Sequence, residues 1–229
     1  MTFALLGADP ARGEIGLVVS SSSPAVAARC AHIRPGVGVA ASQNVTDPRL
    51  GPALLDALQA GRSPAQAIQA VRAAADQVEY RQLTVLGRDG AGDAWSGAGT
   101  LGVHGERVGD GCVAAGNLLA SEQVLDALVD GFAGSAGSAG ASLTDRLLAA
   151  LRAGAAAGGE AGPLRSAGLL VSAEVPWPVV DLRVDDADDP VGELARLWTV
   201  YAPQRDEYVT RALHPETAPA FGVPGDEGR

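Results

Sequence analysis

The chain has 229 residues, 47% of them hydrophobic and 19% charged, with a formal net charge of −10 at pH 7. It is long and apolar enough to bury one sizeable core without a second domain, and too apolar to stay unfolded. All 17 basic residues are arginine, which excludes Schiff-base, P-loop-lysine and Ser-Lys chemistry. The acidic balance, with no basic run, argues against nucleic acid and anionic membranes as partners.

In chain order, residues 3–8 and 14–20 read as two strands joined by the turn "DPARGE". "SPAVAARCAHI" reads as a short helix, "GVGVAAS" at 36–42 as a strand, and the stretch after "NVTDPRLG" as a helix ending at Gly61. Ser63-Pro64-Ala65-Gln66 is a capping box with proline at the first helical position, and Ala67, Ile68, Val71, Ala74 and Ala75 form the apolar face of that helix. Strands follow at 81–87, 92–98 and 112–119, then helices from Ser121 to Phe132 and from Ser142 to Arg152 around the low-complexity linker "GSAGSAGAS". Strands return at 166–172 and 179–184, and Asp189-Pro190 opens a last helix running to about Tyr201.

Blocks of turn-linked strands argue antiparallel pairing, and helices in pairs between those blocks must cover sheet faces. A layered α+β sandwich is therefore expected, rather than a doubly wound sheet, and no GxGxxG follows a strand. One domain is expected over residues 1–202, with 203–229 as a partly ordered tail rich in Pro, Gly and charge.

Cys30 and Cys112 lie far apart, outside any CxxC pattern, and read as buried small hydrophobes. His32, His104 and His214 are scattered, with no helical pair and no zinc-type cluster. The acidic run Asp181 to Asp189 lacks the EF-hand pattern. Alternation puts Asp181, Arg183 and Asp185 on one strand face, where a charge-pair ladder is the simpler reading. No metal and no cofactor are expected. The N-terminus lacks a basic region before an apolar stretch, and no apolar run reaches the roughly 18 residues of a membrane span, so no membrane partner and a cytoplasmic address are expected.

The apolar run Phe3-Ala4-Leu5-Leu6 begins with no slack behind Thr2. Removal of Met1 before this small residue would leave a hydroxyl and a free α-amine on one residue, a nucleophile with its own base. With the hairpin turn at residues 10–12, Ser20 and Ser21 lie opposite Thr2, where a hydroxyl would complete a proton relay. The plainer reading is a polar loop that caps the helix at Pro24.

"MTFALLGADPARGEIGLVVSSSSPAVA", "RPGVGVAASQNVTDPRLGPALLDALQAGRSPAQAI", "YRQLTVL", "AAGNLLAS" and "SAGLLV…VDLRVDD…DPVGELARL" together resemble the bacterial family called domain of unknown function 1028, in order from residue 1 to about 201. The resemblance implies an N-terminal nucleophile (Ntn) hydrolase fold, a four-layer αββα sandwich, and amide-bond cleavage by an N-terminal Thr, Ser or Cys. On that reading Thr2 is the nucleophile and Asn117 an oxyanion donor, against the plainer reading of Asn117 as a strand-end residue bonding its own turn. Arg81 and Gln82 would be pocket or structural residues, and Arg183 and Asp185 belong to the matching "DLRVDD" segment. The lysine found beside the nucleophile in several Thr-dependent relatives is missing. The expected function is hydrolysis of a small amide or N-acyl substrate by a homo-oligomer. The alternative is an inactive member of the fold that binds a metabolite or protein partner.

Overall fold

The computed structural model describes residues 2–135 and 141–223. Among the described residues ten strands are formed: β1 (Thr2–Asp9), β2 (Glu14–Ser21), β3 (Ala31–Arg34), β4 (Gly38–Asn44), β5 (Arg81–Gly87), β6 (Gly92–Ser96), β7 (Gly105–Gly109), β8 (Cys112–Asn117), β9 (Ser166–Ser172) and β10 (Pro178–Val184). The helices are α1 (Val26–Cys30), α2 (Leu50–Gln59), α3 (Pro64–Ala74), α4 (Gln123–Gly134), α5 (Leu143–Ala156), α6 (Pro190–Tyr201) and α7 (Arg205–Leu213).

The strands make two antiparallel sheets, one of six in the order β10-β9-β2-β1-β8-β7 and one of four in the order β3-β4-β5-β6. Side-chain alternation along each strand then sorts the apolar residues into three cores. Phe3, Leu5, Val18 and Leu169 point from the large sheet toward Leu125, Phe132, Leu147 and Leu194 of α4, α5 and α6. Ala4, Leu6, Leu17 and Val19 point the other way and meet Val39, Ala41 and Leu86 of the small sheet. Leu83 and Val85, on the far face of the small sheet, pack on Leu54, Leu55, Ile68 and Val71 of α2 and α3. The order is therefore helices, sheet, sheet, helices. Each fully buried Leu or Phe contributes roughly 1.5–3 kcal/mol.

The helix starts follow the local chemistry. Ser63 and Gln66 exchange both capping-box bonds, Ser142 and Asp145 do the same, and Asp189 Oδ1 accepts from the Gly192 N–H at 2.9 Å. Three expectations change. The helix expected through His32 and Ile33 ends at Cys30, and Ala31–Arg34 pairs with β4 as an edge strand. "GERVG" forms the edge strand β7, too polar and glycine-flanked to register as a strand from pattern. Residues 205–213 of the tail expected to be partly ordered form a helix, and Arg205 reaches the buried Glu14 carboxylate at 3.2 Å. Residues 224–229 of that tail, 136–140 of the small-residue linker, and Met1 lie outside the described residues.

Candidate active site

β1 runs through the middle of the large sheet, between β2 and β8, and Thr2 is its first residue. Thr2 pairs with Asn117, while Phe3 pairs with Ser20 on one side and Gly116 on the other. Because Phe3 faces the helices, Thr2 faces the small sheet, as Ala4 and Leu6 do. The same parity puts Ser21 beside Thr2, in line with Leu17 and Val19. Thr2 Oγ1 donates to Ser21 Oγ at 3.4 Å, and Ser21 Oγ accepts the Ser23 N–H at 3.1 Å. Thr2 is 4% exposed, and Ser21 and Asn117 are fully buried.

Ser20 does not join this group. It shares parity with Val18, which faces the helices, and its hydroxyl donates to the Ser166 carbonyl at 2.9 Å. Of the two candidate relay hydroxyls, only that of Ser21 touches Thr2. A one-residue step along a strand reverses the face, so proximity in sequence does not bring both serines to one place.

Facing Thr2's side of the large sheet is a buried amide network. Gln82 Nε2 donates to the Gly116 carbonyl at 2.9 Å and to Ser96 Oγ at 2.8 Å. Those acceptors fix the Gln82 amide, so its Oε1 demands donors and receives two: Gln43 Nε2 at 2.9 Å and Asn117 Nδ2 at 3.0 Å. Gln43 Nε2 also bonds the Ala115 carbonyl at 3.1 Å. Gln43, Gln82 and Asn117 are all fully buried, and the network stitches the two sheets together at the end where Thr2 lies. Gln82 is thus a cross-sheet structural residue. The Asn117 donor expected to serve an oxyanion has one N–H committed to Gln82, and Oδ1 is the buried atom left without a partner, as is Gln43 Oε1.

Leu118, immediately after Asn117, takes a left-handed backbone conformation with φ 51°. This turns the chain so that Leu119 forms an isolated antiparallel bridge with Glu160. Glu160 is 4% exposed, and both its carboxylate oxygens accept the Ser22 N–H at 3.1 Å. Burial pushes its carboxyl above the usual carboxylate range, opposed by hydrogen bonding from Ser22 and by the positive charge at the start of the chain. Sequence reasoning missed both Glu160 and Gln43. Gln43 left a trace, as an amide inside the otherwise apolar strand "GVAASQN"; "AGGEAGP" around Glu160 has no pattern to read.

The other expected site residues lie elsewhere. Arg81 starts β5 at the same end of the small sheet, where a guanidinium N–H is tied to the Val45 carbonyl, so it braces a loop. Arg183 and Asp185 belong to the edge strand β10 and the turn after it, with β2 and β9 between them and β1. Arg183 pairs with Asp181 at 2.7 Å on the half-exposed surface, and the Asp185 carbonyl accepts the Ala25 N–H at 2.8 Å. Both therefore stand two strands away from Thr2. A cavity of about 570 Å3 lies between α2 and α3, lined by Asp47, Arg49, Ala53, Ala57, Val71 and Ala74, in the outer helical layer. Among the described residues no helix is long and apolar enough to cross a membrane, and no group of three or more His, Cys, Asp or Glu is placed to hold a metal ion.

The chain resembles a solved structure of known sequence family. The crystal structure of protein SPO2555 from Silicibacter pomeroyi, assigned to DUF1028, superposes with a TM-score of 0.82 over 90% of this chain and 89% of that one, at 29% identity. A search of proteins with curated descriptions found no match. The model of the family of unknown function DUF1028 matches residues 2–194, which is the whole sandwich from Thr2 into α6. With that span matched by the family model and the same architecture in a crystal structure, the chain belongs to DUF1028.

Proposed function

We propose that the protein is an N-terminal nucleophile hydrolase of a small amide or N-acyl compound, with Thr2 as nucleophile once Met1 has been removed. The observation that carries this reading is the placement of Thr2. It opens a central strand with almost no exposure, faces the gap between two sheets, and holds its hydroxyl on Ser21 Oγ. A packing role alone would be met by an apolar residue at this position. The helix–sheet–sheet–helix order is the layering expected of the Ntn fold and supports the same reading.

In the proposed reaction the neutral Thr2 amine takes the proton of its own hydroxyl as Oγ1 attacks the substrate carbonyl carbon. A C–O bond forms and the carbonyl oxygen becomes an oxyanion, met by the second Nδ2 hydrogen of Asn117. Collapse breaks the C–N bond, and the protonated amine returns its proton to the departing nitrogen. Water, activated by the same amine, then cleaves the acyl ester and restores Thr2. With no lysine in the chain, no side-chain ammonium assists. We propose as well a homo-oligomer in the cytoplasm, its subunit number checked by light scattering and its location by cell fractionation.

Intact mass of the untagged protein tests the first requirement, since the proposal needs a mass short by one methionine. A screen of small amides and N-acyl compounds, with Thr2→Ala as control, tests the second. Full hydrolysis by Thr2→Ala refutes the mechanism. A retained Met1 removes the nucleophile altogether and favours an inactive fold member that binds a metabolite or partner.

A further inference from the structure

In the large sheet three strands end level: Thr2, the first residue of β1, pairs with Asn117, the last of β8, and the register with β2 sets it opposite Ser21, the last of that strand. Beyond this line the chain continues from β2 into Ser22 and from β8 through the left-handed Leu118 to Leu119. Glu160 ties these two continuations together. Its carboxylate takes the Ser22 N–H on both oxygens, and its backbone bridges Leu119. Since β1 lies between β2 and β8, Glu160 stands across the space beyond the start of β1, where the Thr2 nitrogen leaves the sheet.

A carboxylate this buried needs a compensating charge. Among the described residues no arginine pairs with Glu160, and the charge at the start of the chain, carried by Met1 until its removal, opposes the upward shift of its carboxyl. The Cys30 thiol at the end of α1 also feels this terminal charge, but burial dominates there and pushes the thiol up. Arg165, whose backbone N–H bonds the Ser21 carbonyl, turns its guanidinium to Asp186 and Asp188 instead. Asn117 Oδ1, fully buried and without a partner, is a second acceptor on the residue paired with Thr2.

We propose that Glu160 is the positioning residue for the Thr2 α-amine. After Met1 removal, its carboxylate accepts a hydrogen bond from the Thr2 amine, in the charged form and in the neutral form that acts as base, and orients the nitrogen toward Oγ1. This rests on the N-terminal nucleophile reading. Neither the hydroxyl nor the substrate need touch Glu160; it acts through the amine.

The test uses the full chain labelled with 13C-threonine, in which the Thr2 Cα resonance reports protonation of the adjacent amine without modifying it. Glu160→Gln keeps the shape and an acceptor for Ser22 N–H but removes the charge. Its Thr2 amine is expected to lose its proton about one pH unit lower than in the wild type, roughly a tenfold change in ionisation constant. A buried residue with only a structural role would not move this midpoint in a folded variant. An unchanged midpoint in folded Glu160→Gln overturns the proposal while leaving Thr2 as nucleophile. If Glu160→Gln does not fold, Glu160→Asp carries the test. Its charge withdraws by one methylene, so the midpoint drops by about half a unit, and no drop overturns the proposal. Retention of Met1, read from the mass of the same samples, overturns both proposals together, so the two failures are distinguishable.

Discussion

Gln82→Leu is expected to be among the most damaging single substitutions in the inter-sheet core. Gln82 is fully buried and makes four hydrogen bonds of 2.8 to 3.0 Å, giving two and receiving two. Gln43 Nε2 retains the Ala115 carbonyl after the change, and half-buried Ser96 sits at the strand end. The cost therefore falls mainly on Asn117 Nδ2, left with no acceptor, and on the Gly116 carbonyl. A buried polar group stripped of its partner costs about 1–3 kcal/mol, and leucine recovers part of that through its own burial. The net loss is about 2 kcal/mol, or roughly 4–8 °C in Tm for a domain of this size. Urea unfolding followed by circular dichroism measures it. A double-mutant cycle with Asn117→Ala, which removes the orphaned donor, should show the pair to be less destabilised than the sum by about 1 kcal/mol. A loss under about 1 kcal/mol for Gln82→Leu would refute the claim that these amides hold the sheets together.

Gly7→Ala places a methyl 2.6 Å from the Phe132 ring and 3.3 Å from Leu147, both in the packed helix-side core, and should cost about 1–3 kcal/mol. Thermal melts that match the wild type would show that α4 yields more easily than this packing implies. Asp47 is held at a pKa of about 2 by hydrogen bonds from the Arg49 guanidinium, below its ordinary 3.8. A depressed carboxylate stabilises the fold above the unfolded pKa and loses that contribution as pH falls through the folded one. The wild-type Tm should therefore drop faster than that of Asp47→Asn between about pH 4 and pH 2, and parallel curves would contradict the assignment.

The end of the sandwich was only partly legible in the chain. The hairpin β1–β2, read as strands over 3–8 and 14–20, follows from a short apolar run on either side of a Pro- and Gly-containing turn, and the structure adds Thr2 to the start of β1. The capping boxes of α3 and α5 are local chemistry, complete within four residues. Edge strands β3 and β7 escaped because an edge strand need not carry an apolar pattern on both faces, and their pairing depends on a partner strand rather than on their own composition.

Local periodicity determined the strands, the helix caps and the two-sided burial that requires stacked layers, because each depends on residues a few positions apart. The absence of lysine determined which chemistry was excluded. Only the tertiary structure decided which hydroxyl meets Thr2. Ser20 and Ser21 are equivalent by composition, and the parity of β2 sends one toward α5 and α6 and the other toward Thr2. Only it brought Gln43, Gln82 and Asn117 together from three strands in two sheets, and set Glu160 beyond the start of β1 from 158 positions away. Contacts between distant segments depend on register and layer order, which no local pattern encodes.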